Sequence, residues 1–262
     1  YGENLMTGWK VRIPCAGYVS IEAQLQQHGR TVATGDDKIY AVAMNATGID
    51  GVCAVADTTG VLAAYLDAQG VKTVNYHRGR PQADLMIVGA FEPTQFGSGY
   101  SDILEWVYSG HTLVIVDNPV RWADLLCDKE VMDYRGEKAL GRSWYGGNFF
   151  CRSHPIFEGL PTDCVFNWEY QCFAAYNRRR IGLRDMSGEV LVGCVSDHRK
   201  EVYSALSEIP AGRGRILITT LDIPACLKGT EAYTKKVDLD GMNESMNTFN
   251  TQGMNKADAV GR

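Results

Sequence analysis

The sequence predicts an α/β protein with an open, mostly parallel sheet and helices on both faces, preceded by a few antiparallel β-strands. From residue 51 onward, unbroken apolar runs typical of strands buried on both faces alternate with helical segments. Before that point apolar and polar residues alternate singly, as in strands with one buried face. We therefore divide the chain into residues 1–48, a partial β-sandwich or linker, and residues 49–262, an α/β domain.

The N-terminal segment predicts an antiparallel ribbon. YVSIEAQLQQ alternates with a two-residue period, His28-Gly29 forms the turn, RTVATG is the partner strand and KIYAVAMN is expected to be a third strand. So few strands cannot enclose a core, so we expect them to pack against another part of a longer polypeptide. The start at Tyr1 and the end KADAVGR, which resembles a truncated helix, favour the same interpretation; the alternative is a processed N-terminus with a short last helix.

Strands and helices alternate between residues 51 and 118. GVCAVAD, VKTVNY, ADLMIVGAF and HTLVIVDN are predicted strands. TTGVLAAYLDAQG is a predicted helix with a threonine cap and Gly70 as its end, and SDILEWVYSG is a helix capped by Ser101 and ended by Gly110. Repeated β-α-β units have right-handed crossovers, which predicts parallel pairing with helices on both faces.

The second half of the chain is less regular. RWADLLCDKEVM predicts a helix, and the Gly- and Pro-rich region that follows it predicts loops. CVFNWEYQCFAAY, GEVLVGCVSDH and GRILITTLDI are expected strands, the last two joined by a stretch that contains Pro210 and Gly212. Residues 228–255 are polar and without a clear period, which predicts a long surface loop.

Composition and charge narrow the classes of function. The chain has 262 residues, 45% of them hydrophobic, and a net charge of -5, which argues against a nucleic-acid partner. It contains no stretch of about 18 apolar residues, so we expect no membrane span. No zinc-ligand spacing, GxGxxG or P-loop motif occurs, so neither a metal nor a cofactor is predicted. The eight cysteines form no CxxC pair; we expect mostly free, buried thiols, although the sequence leaves disulfide pairing open.

Polar residues follow four of the predicted strands. Because carboxyl ends of parallel strands meet at one edge, these residues are expected to form an acidic rim, defined as Asp57, Glu92, Asp117, Asn118 and Asp222. One interpretation is a polar pocket for a sugar or for a cation with oxygen ligands. The other, which we favour, is that each residue caps the next helix or closes a turn.

Aromatic residues form two groups. Trp144, Tyr145 and Phe149 lie beside Gly146-Gly147 and are a candidate aromatic contact surface that could stack on a sugar. Phe166, Trp168 and Tyr170 share one face of a predicted strand, which is more typical of a core or a domain interface. We interpret Glu169 as a solvent-facing edge-strand acid, and His111 and His154 as hydrogen-bonded structural residues.

Three segments carry a resemblance to a known family: ADLMIVGAFEP followed by ILEWVYSGHTLVIVDN, then SHPIFEGLP, then AGRGRILITTLDI. Together, over residues 50–225, they resemble class I glutamine-amidotransferase-like (flavodoxin-like) domains. The likeness is strongest to the non-catalytic versions inside large glycoside hydrolases of family 2 or β-galactosidase-type architecture, and to trehalose-utilisation-type proteins. The resemblance also implies a periplasmic or extracellular location, which the residues by themselves leave unknown.

The chain departs from the catalytic members of that family at two places. Their strand equivalent to HTLVIVD leads into a Gly-x-Cys-x-Gly elbow, whereas here Asp117-Asn118-Pro119 follows; their late His-x-Glu pair is also missing. Asp197-His198 cannot replace it, since adjacent strand residues point to opposite faces.

We therefore identify no catalytic residue and expect an accessory domain of a glycoside hydrolase, active in interdomain packing, cleft shaping or oligomer contact. Its expected partners are other domains of the parent chain, a second copy and a carbohydrate. Two alternatives stay open: a stand-alone hydrolase or transferase that uses the acidic rim, and a sugar-binding module that uses the loop from Trp144 to Phe150.

Overall fold

The structure is a computed structural model that describes residues 8, 10–41, 51–91, 99–139, 149–166, 170, 181–184, 187–195 and 201–227. Within these residues the chain forms a two-stranded antiparallel sheet and a separate mixed sheet of 11 strands with helices. The predicted α/β class with preceding antiparallel strands is confirmed. The division at residue 48 falls among residues 42–50, outside the described part, and stays a prediction.

The antiparallel pair is a hairpin of β1 (Gly17–Gln27) and β2 (Arg30–Ala41). His28 and Gly29 form its two-residue turn, both with positive φ (49° and 74°), as the tight turns of twisted hairpins require. The predicted turn is therefore confirmed. The expectation of a third strand at KIYAVAMN is wrong for its first half, because residues 38–41 continue β2 without a break.

The remaining elements run in chain order. They are β3 (Val52–Ala56), α1 (Val61–Ala68), β4 (Lys72–Asn75), β5 (Leu85–Val88), α2 (Gly99–Tyr108), β6 (Thr112–Ile115), α3 (Pro119–Asp128), β7 (Glu137–Ala139), β8 (Phe149–Cys151), a 3-10 helix (Pro155–Phe157), β9 (Cys164–Val165), β10 (Ile181–Leu183), β11 (Glu189–Val195), β12 (Val202–Ala211) and β13 (Gly214–Thr219). A further helical turn begins at 223 and extends to 227, the last described residue.

The large sheet has a parallel half and an antiparallel half. Its parallel strands follow the order β4-β3-β5-β6-β13, the doubly wound order of flavodoxin-like folds. Beyond β13 the order continues β12-β11-β8-β9 with antiparallel pairing. β10 also pairs with β12, and β7 pairs with β10. The parallel character that we predicted thus holds for five strands, and the sheet as a whole is mixed.

Helices cover both faces of the parallel half, as predicted. Alternate residues of each strand enter two separate core clusters: Cys53 and Val55 face α1, while Ala54 and Ala56 face the side of α2 and α3. Trp106 from α2 and Trp122 from α3 are the two largest side chains of the second cluster, each 1% exposed. The sheet is therefore a buried layer, and its strand ends are the places where side chains can reach a ligand.

Three local expectations need correction. The residue directly before α1 is Gly60 (φ 71°) and not a threonine, and the Thr59 hydroxyl accepts only a long hydrogen bond, 3.4 Å, from the Val61 amide at the start of the helix. α2 begins at Gly99, which places Ser101 inside the helix. The stretch with Pro210 is not a connection but part of β12. Proline is tolerated there because β12 pairs with β11 only as far as Glu208, so Pro210 pairs with β13 alone and needs no second ladder bond.

Candidate functional site

The described residues of the acidic rim lie at one edge of the parallel sheet. Asp57 follows β3, Asp117 and Asn118 follow β6, and Asp222 follows β13. β5 lies between β3 and β6, so Asp57 and Asp117 follow strands that are two spacings, about 10 Å, apart. Glu92 lies outside the described residues. The topology therefore brings the four described residues of the five-residue rim to one edge, and their hydrogen bonds indicate what each does there.

Asp57 closes the gap between β3 and β5. Its carboxylate accepts hydrogen bonds from the Thr59 amide (3.0 Å), the Thr59 hydroxyl (2.8 Å), the Leu62 amide (3.0 Å) and the Ala90 amide (3.3 Å). The bond to Leu62 satisfies a free N–H in the first turn of α1, which is the task of a cap. The bond to Ala90 ties this turn to the end of β5. Both carboxylate oxygens are thus engaged by the protein itself.

Two further features bring the β3 and β5 ends together. The Thr58 hydroxyl donates to the Ala90 carbonyl at 2.6 Å. At Gly89 a Cβ atom would lie 2.6 Å from Leu62 Cδ1 and 3.1 Å from Asp57 Cβ, so a larger residue would force Leu62 or the Asp57 turn to shift. In flavodoxin-like folds this junction is the switch point at which ligands enter. Here hydrogen bonds and close packing fill it.

The ionisation of Asp57 reflects these contacts. Partial burial alone would raise the pKa of the carboxyl, but the hydrogen bonds from Leu62, Thr59 and Ala90 stabilise its charged form and lower the pKa below the usual range. Asp57 is therefore a charged acceptor in the folded protein. A general acid needs the opposite shift.

The turn after β6 keeps the geometry of an elbow without a nucleophile. Asn118 has φ 49° and ψ 43°, and Pro119 begins α3 directly after it. A sharp turn between a strand and a helix is where enzymes of the α/β-hydrolase fold hold their nucleophile. Asparagine tolerates the left-handed conformation but has no thiol or hydroxyl to activate. The Asp117 carboxylate accepts a hydrogen bond from the Asn118 amide at 2.8 Å and supports the turn.

Asp222 begins the helical turn at 223–227. Its side chain accepts a hydrogen bond from the Ala225 amide at 3.3 Å, and its carbonyl accepts one from the Cys226 amide. These are the bonds of a helix cap. Asp57 and Asp222 therefore cap helices and Asp117 closes a turn, as the favoured interpretation of the sequence expected. A ligand at this rim stays an untested prediction.

An apolar cavity of about 250 Å³ lies next to the rim, on the face of the sheet covered by α1. Val116 and Leu221, which directly follow β6 and β13, line it together with Phe157 and Leu160 from the loop after β8. The Tyr170 hydroxyl at its wall donates to the Pro161 carbonyl at 2.6 Å. No local sequence pattern indicates this cavity, because its lining comes from segments far apart in the chain.

The cavity walls are poorly suited to a sugar. The Thr219 hydroxyl, one of few polar groups in the lining, donates to the Ala205 carbonyl and accepts from the Leu221 amide. Sugars are held by several hydrogen bonds directed into a pocket, and these polar groups already have partners in the protein.

The candidate aromatic surface is only partly described. Phe149 is 7% exposed and stacks on Phe166, with ring centroids 5.7 Å apart; Phe166 in turn stacks on Tyr170 at 4.4 Å. Phe149 thus belongs to the core. Trp144 and Tyr145 lie outside the described residues, as do Trp168 and Glu169. The strand predicted around them is described only at β9, before Phe166.

Both histidines are structural, as expected. His111 stacks on Trp106, with ring centroids 4.7 Å apart, and its Nδ1 lies 2.8 Å from the Trp106 carbonyl. His154 Nδ1 accepts a hydrogen bond from the Ile156 amide and so caps the 3-10 helix. Its Nε2 lies 3.7 Å from a carboxylate oxygen of Glu208.

The described residues contain neither a metal-ion cluster nor a membrane-spanning helix. Among them, no group of three or more His, Cys, Asp or Glu side chains is arranged to hold a metal ion. None of the helices in the described part of the chain combines the length and the apolar character that a membrane crossing requires.

Part of the chain is similar to known solved structures. No protein-family model matches it, and no curated protein matches it. A solved exo-beta-1,4-mannosidase, Op5Man5 from Opitutaceae bacterium strain TAV5, is similar with a TM-score of 0.42 and 12% identity, over 70% of this chain and 33% of that chain. A beta-galactosidase from Bacillus circulans sp. alkalophilus is similar with a TM-score of 0.35 and 14% identity, over 69% of this chain and 30% of that chain.

Both of these structures are glycoside hydrolases by name. This chain spans about a third of the length of each. The activities in the two names are those of the two enzymes.

Proposed function

We propose that this chain is an accessory, non-catalytic domain of a carbohydrate-active enzyme, specifically an amidotransferase-like α/β domain of a glycoside hydrolase. Its role is to pack against other domains of the parent chain, to shape the substrate cleft or to provide an oligomer contact. Its partners are accordingly those domains, a second copy of the protein and, through the parent enzyme, a carbohydrate.

The observation that carries the proposal is that the described rim side chains make hydrogen bonds within the fold. Asp57 has its carboxylate oxygens engaged by backbone and hydroxyl donors, and Asp222 caps a helical turn. Asn118 occupies the sharp turn between β6 and α3, and its side chain supplies no nucleophile. The described rim side chains thus serve the folding of the domain, which is what a scaffold domain requires.

The hairpin of β1 and β2 supports a packing role. Leu25, Val32 and Tyr18 are 48%, 53% and 68% exposed, and the two strands form a sheet of their own. An isolated two-stranded ribbon is marginally stable in water and needs an apolar partner. A neighbouring domain of the same parent chain, or a second copy, would provide that partner.

An activity assay separates this proposal from the stand-alone hydrolase. The purified chain is incubated with a panel of aryl glycosides that includes β-galactosides and β-mannosides, and separately with glutamine. We expect no turnover above the rate without protein. Turnover that is retained in D67N but abolished in D117N or D222N would overturn the proposal, because it would assign chemistry to the rim.

A further inference from the structure

Two cysteines face each other across neighbouring strands. β8 and β9 pair antiparallel with Cys151 directly opposite Cys164, and their Sγ atoms are 4.0 Å apart. Residues directly opposite in such a ladder have Cα atoms about 4.5–5.5 Å apart. A disulfide spans Cα separations of about 4.4–6.8 Å. A change of side-chain rotamer, without a rearrangement of the strands, therefore suffices to bring the two sulfur atoms within bonding distance.

The two thiols differ in access. Cys151 is 2% exposed, and its Sγ lies 3.4 Å from the Pro161 carbonyl and 3.9 Å from the Tyr170 hydroxyl. Cys164 is partly exposed, at the edge strand of the described sheet. A reagent from solution therefore reaches Cys164 first, and the Sγ atom of the buried Cys151 lies 4.0 Å from the Cys164 Sγ atom. This is the arrangement of an attacking thiol with a resolving thiol.

We propose that Cys151 and Cys164 are a redox-reactive pair that forms a cross-strand disulfide by exchange with a small disulfide of the glutathione class. The Cys164 thiolate attacks one sulfur of the glutathione disulfide, and one glutathione thiolate leaves. The Cys151 thiolate then attacks Cys164 Sγ, and the second glutathione leaves. The two cysteines lose two electrons and two protons in total, and the glutathione disulfide takes them up.

The bond has a structural consequence for the cavity beside the rim. It closes a loop of about 14 residues that carries Phe157 and Leu160, two walls of the cavity. In the reduced protein this loop is tied back by the Tyr170 hydroxyl on the Pro161 carbonyl and by the Ser153 amide on the Asp163 carboxylate. Oxidation therefore fixes the cavity wall covalently. The inference is independent of the accessory role.

The test uses the full chain with Cys15 and Cys172 replaced by serine, so that an exposed thiol and one outside the described residues cannot compete. After exposure to millimolar oxidised glutathione, free thiols are alkylated and peptides are mapped by mass spectrometry. We expect one linked peptide that joins Cys151 to Cys164, a Tm raised by several degrees, and slower proteolysis within residues 152–163. Dithiothreitol should reverse all three effects.

Variants distinguish the two thiols. C151S should accumulate a stable glutathione adduct at Cys164, whereas C164S should leave Cys151 unmodified because it is shielded. C53S, which removes a buried thiol from β3, is the matched control and should form the link normally. The proposal is overturned if both thiols stay open to alkylation after unfolding, if the linked peptide joins other cysteines, or if C53S blocks the link.

Discussion

Replacing Asp57 with asparagine should destabilise the protein, because it weakens the hydrogen bonds of the turn between β3 and α1. The new amide keeps one acceptor oxygen but places an N–H group where a carboxylate oxygen now accepts from the Leu62 or Ala90 amide. A hydrogen bond to a charged group contributes about 1.5–3 kcal/mol to the free energy of unfolding. The backbone amide that loses its acceptor in the variant is partly buried. We expect D57N to lower the free energy of unfolding by about 2 kcal/mol.

The same variant tests the pH dependence. The pKa of Asp57 is lower in the folded protein than in the unfolded chain, so its contribution to stability is fully present above about pH 4. That contribution is lost as the pH falls through the lowered folded-state pKa. The difference in stability between the wild type and D57N should therefore be constant near neutral pH and shrink in the acid range.

The assay is urea denaturation followed by tryptophan fluorescence, to which Trp106 and Trp122, both 1% exposed, contribute, at pH values from 7 downward. D67N is the matched control, since Asp67 lies on the same helix and its substitute can still accept the hydrogen bond from the Thr73 hydroxyl. We expect D67N to change stability by less than about 0.5 kcal/mol. Equal stability of D57N and D67N, or a stability gap that persists unchanged in acid, would refute the role assigned to Asp57.

Three further substitutions test the geometry, each by the same denaturation assay. G89A should cost about 1–3 kcal/mol, because its Cβ would lie 3.1 Å from Asp57 Cβ, which hydrogen bonds hold in place, and 2.6 Å from Leu62 Cδ1; a neutral effect would contradict the tight β3–β5 junction. E130G should gain up to about 1 kcal/mol, since Glu130 has φ 56° at the end of α3, where α1 uses Gly70 (φ 79°); no gain would mean that this conformation is not strained. T220V should be neutral or stabilising by up to about 1 kcal/mol, because the buried Thr220 hydroxyl has no hydrogen-bond partner among the described residues; a large loss would reveal one.

The parallel half of the sheet was predictable because its signals are local. Unbroken apolar runs mark strands such as β6, and Gly70 marks the end of α1 through two bonds typical of helix termini, from the Gly70 amide to the Asp67 carbonyl and from the Val71 amide to the Leu66 carbonyl. The His28-Gly29 turn is equally local. Where a single short segment determines the conformation, the sequence and the structure agree.

The antiparallel half depends on contacts that a local pattern does not contain. β12 carries Pro210, which disfavours a strand. It becomes a strand because β11 pairs with it up to Glu208 and β13 pairs with it through Pro210 to Ala211. The sheet order that separates the parallel strands from β11, β8 and β9 is likewise set by pairing between distant segments. Such pairings could not be derived from periodicity alone.

The candidate site was predictable in place but not in detail. Strand order implies that residues after β3, β6 and β13 meet at one edge, and they do. The bond from Ala90 to Asp57 joins residues 33 positions apart, and the approach allowed by Gly89 depends on the packing of Leu62. No single segment of the sequence predicts that the Asp57 carboxylate accepts hydrogen bonds at both oxygens, and none predicts the apolar cavity. The turn at Asn118, which has a left-handed backbone conformation, was the feature of the site best predicted by a local pattern, since Asn-Pro is common in turns.

The complete reading frame that contains these residues tests the accessory role most directly. We expect the frame to encode, on the same polypeptide, a further domain with paired acidic residues in a sugar-binding cleft. Substitution of either acid in that domain should abolish glycoside hydrolysis by the whole protein, while D117N here should leave the chemical step intact. A frame that encodes no further domain, or hydrolysis that depends on Asp117 or Asp222, would contradict the account.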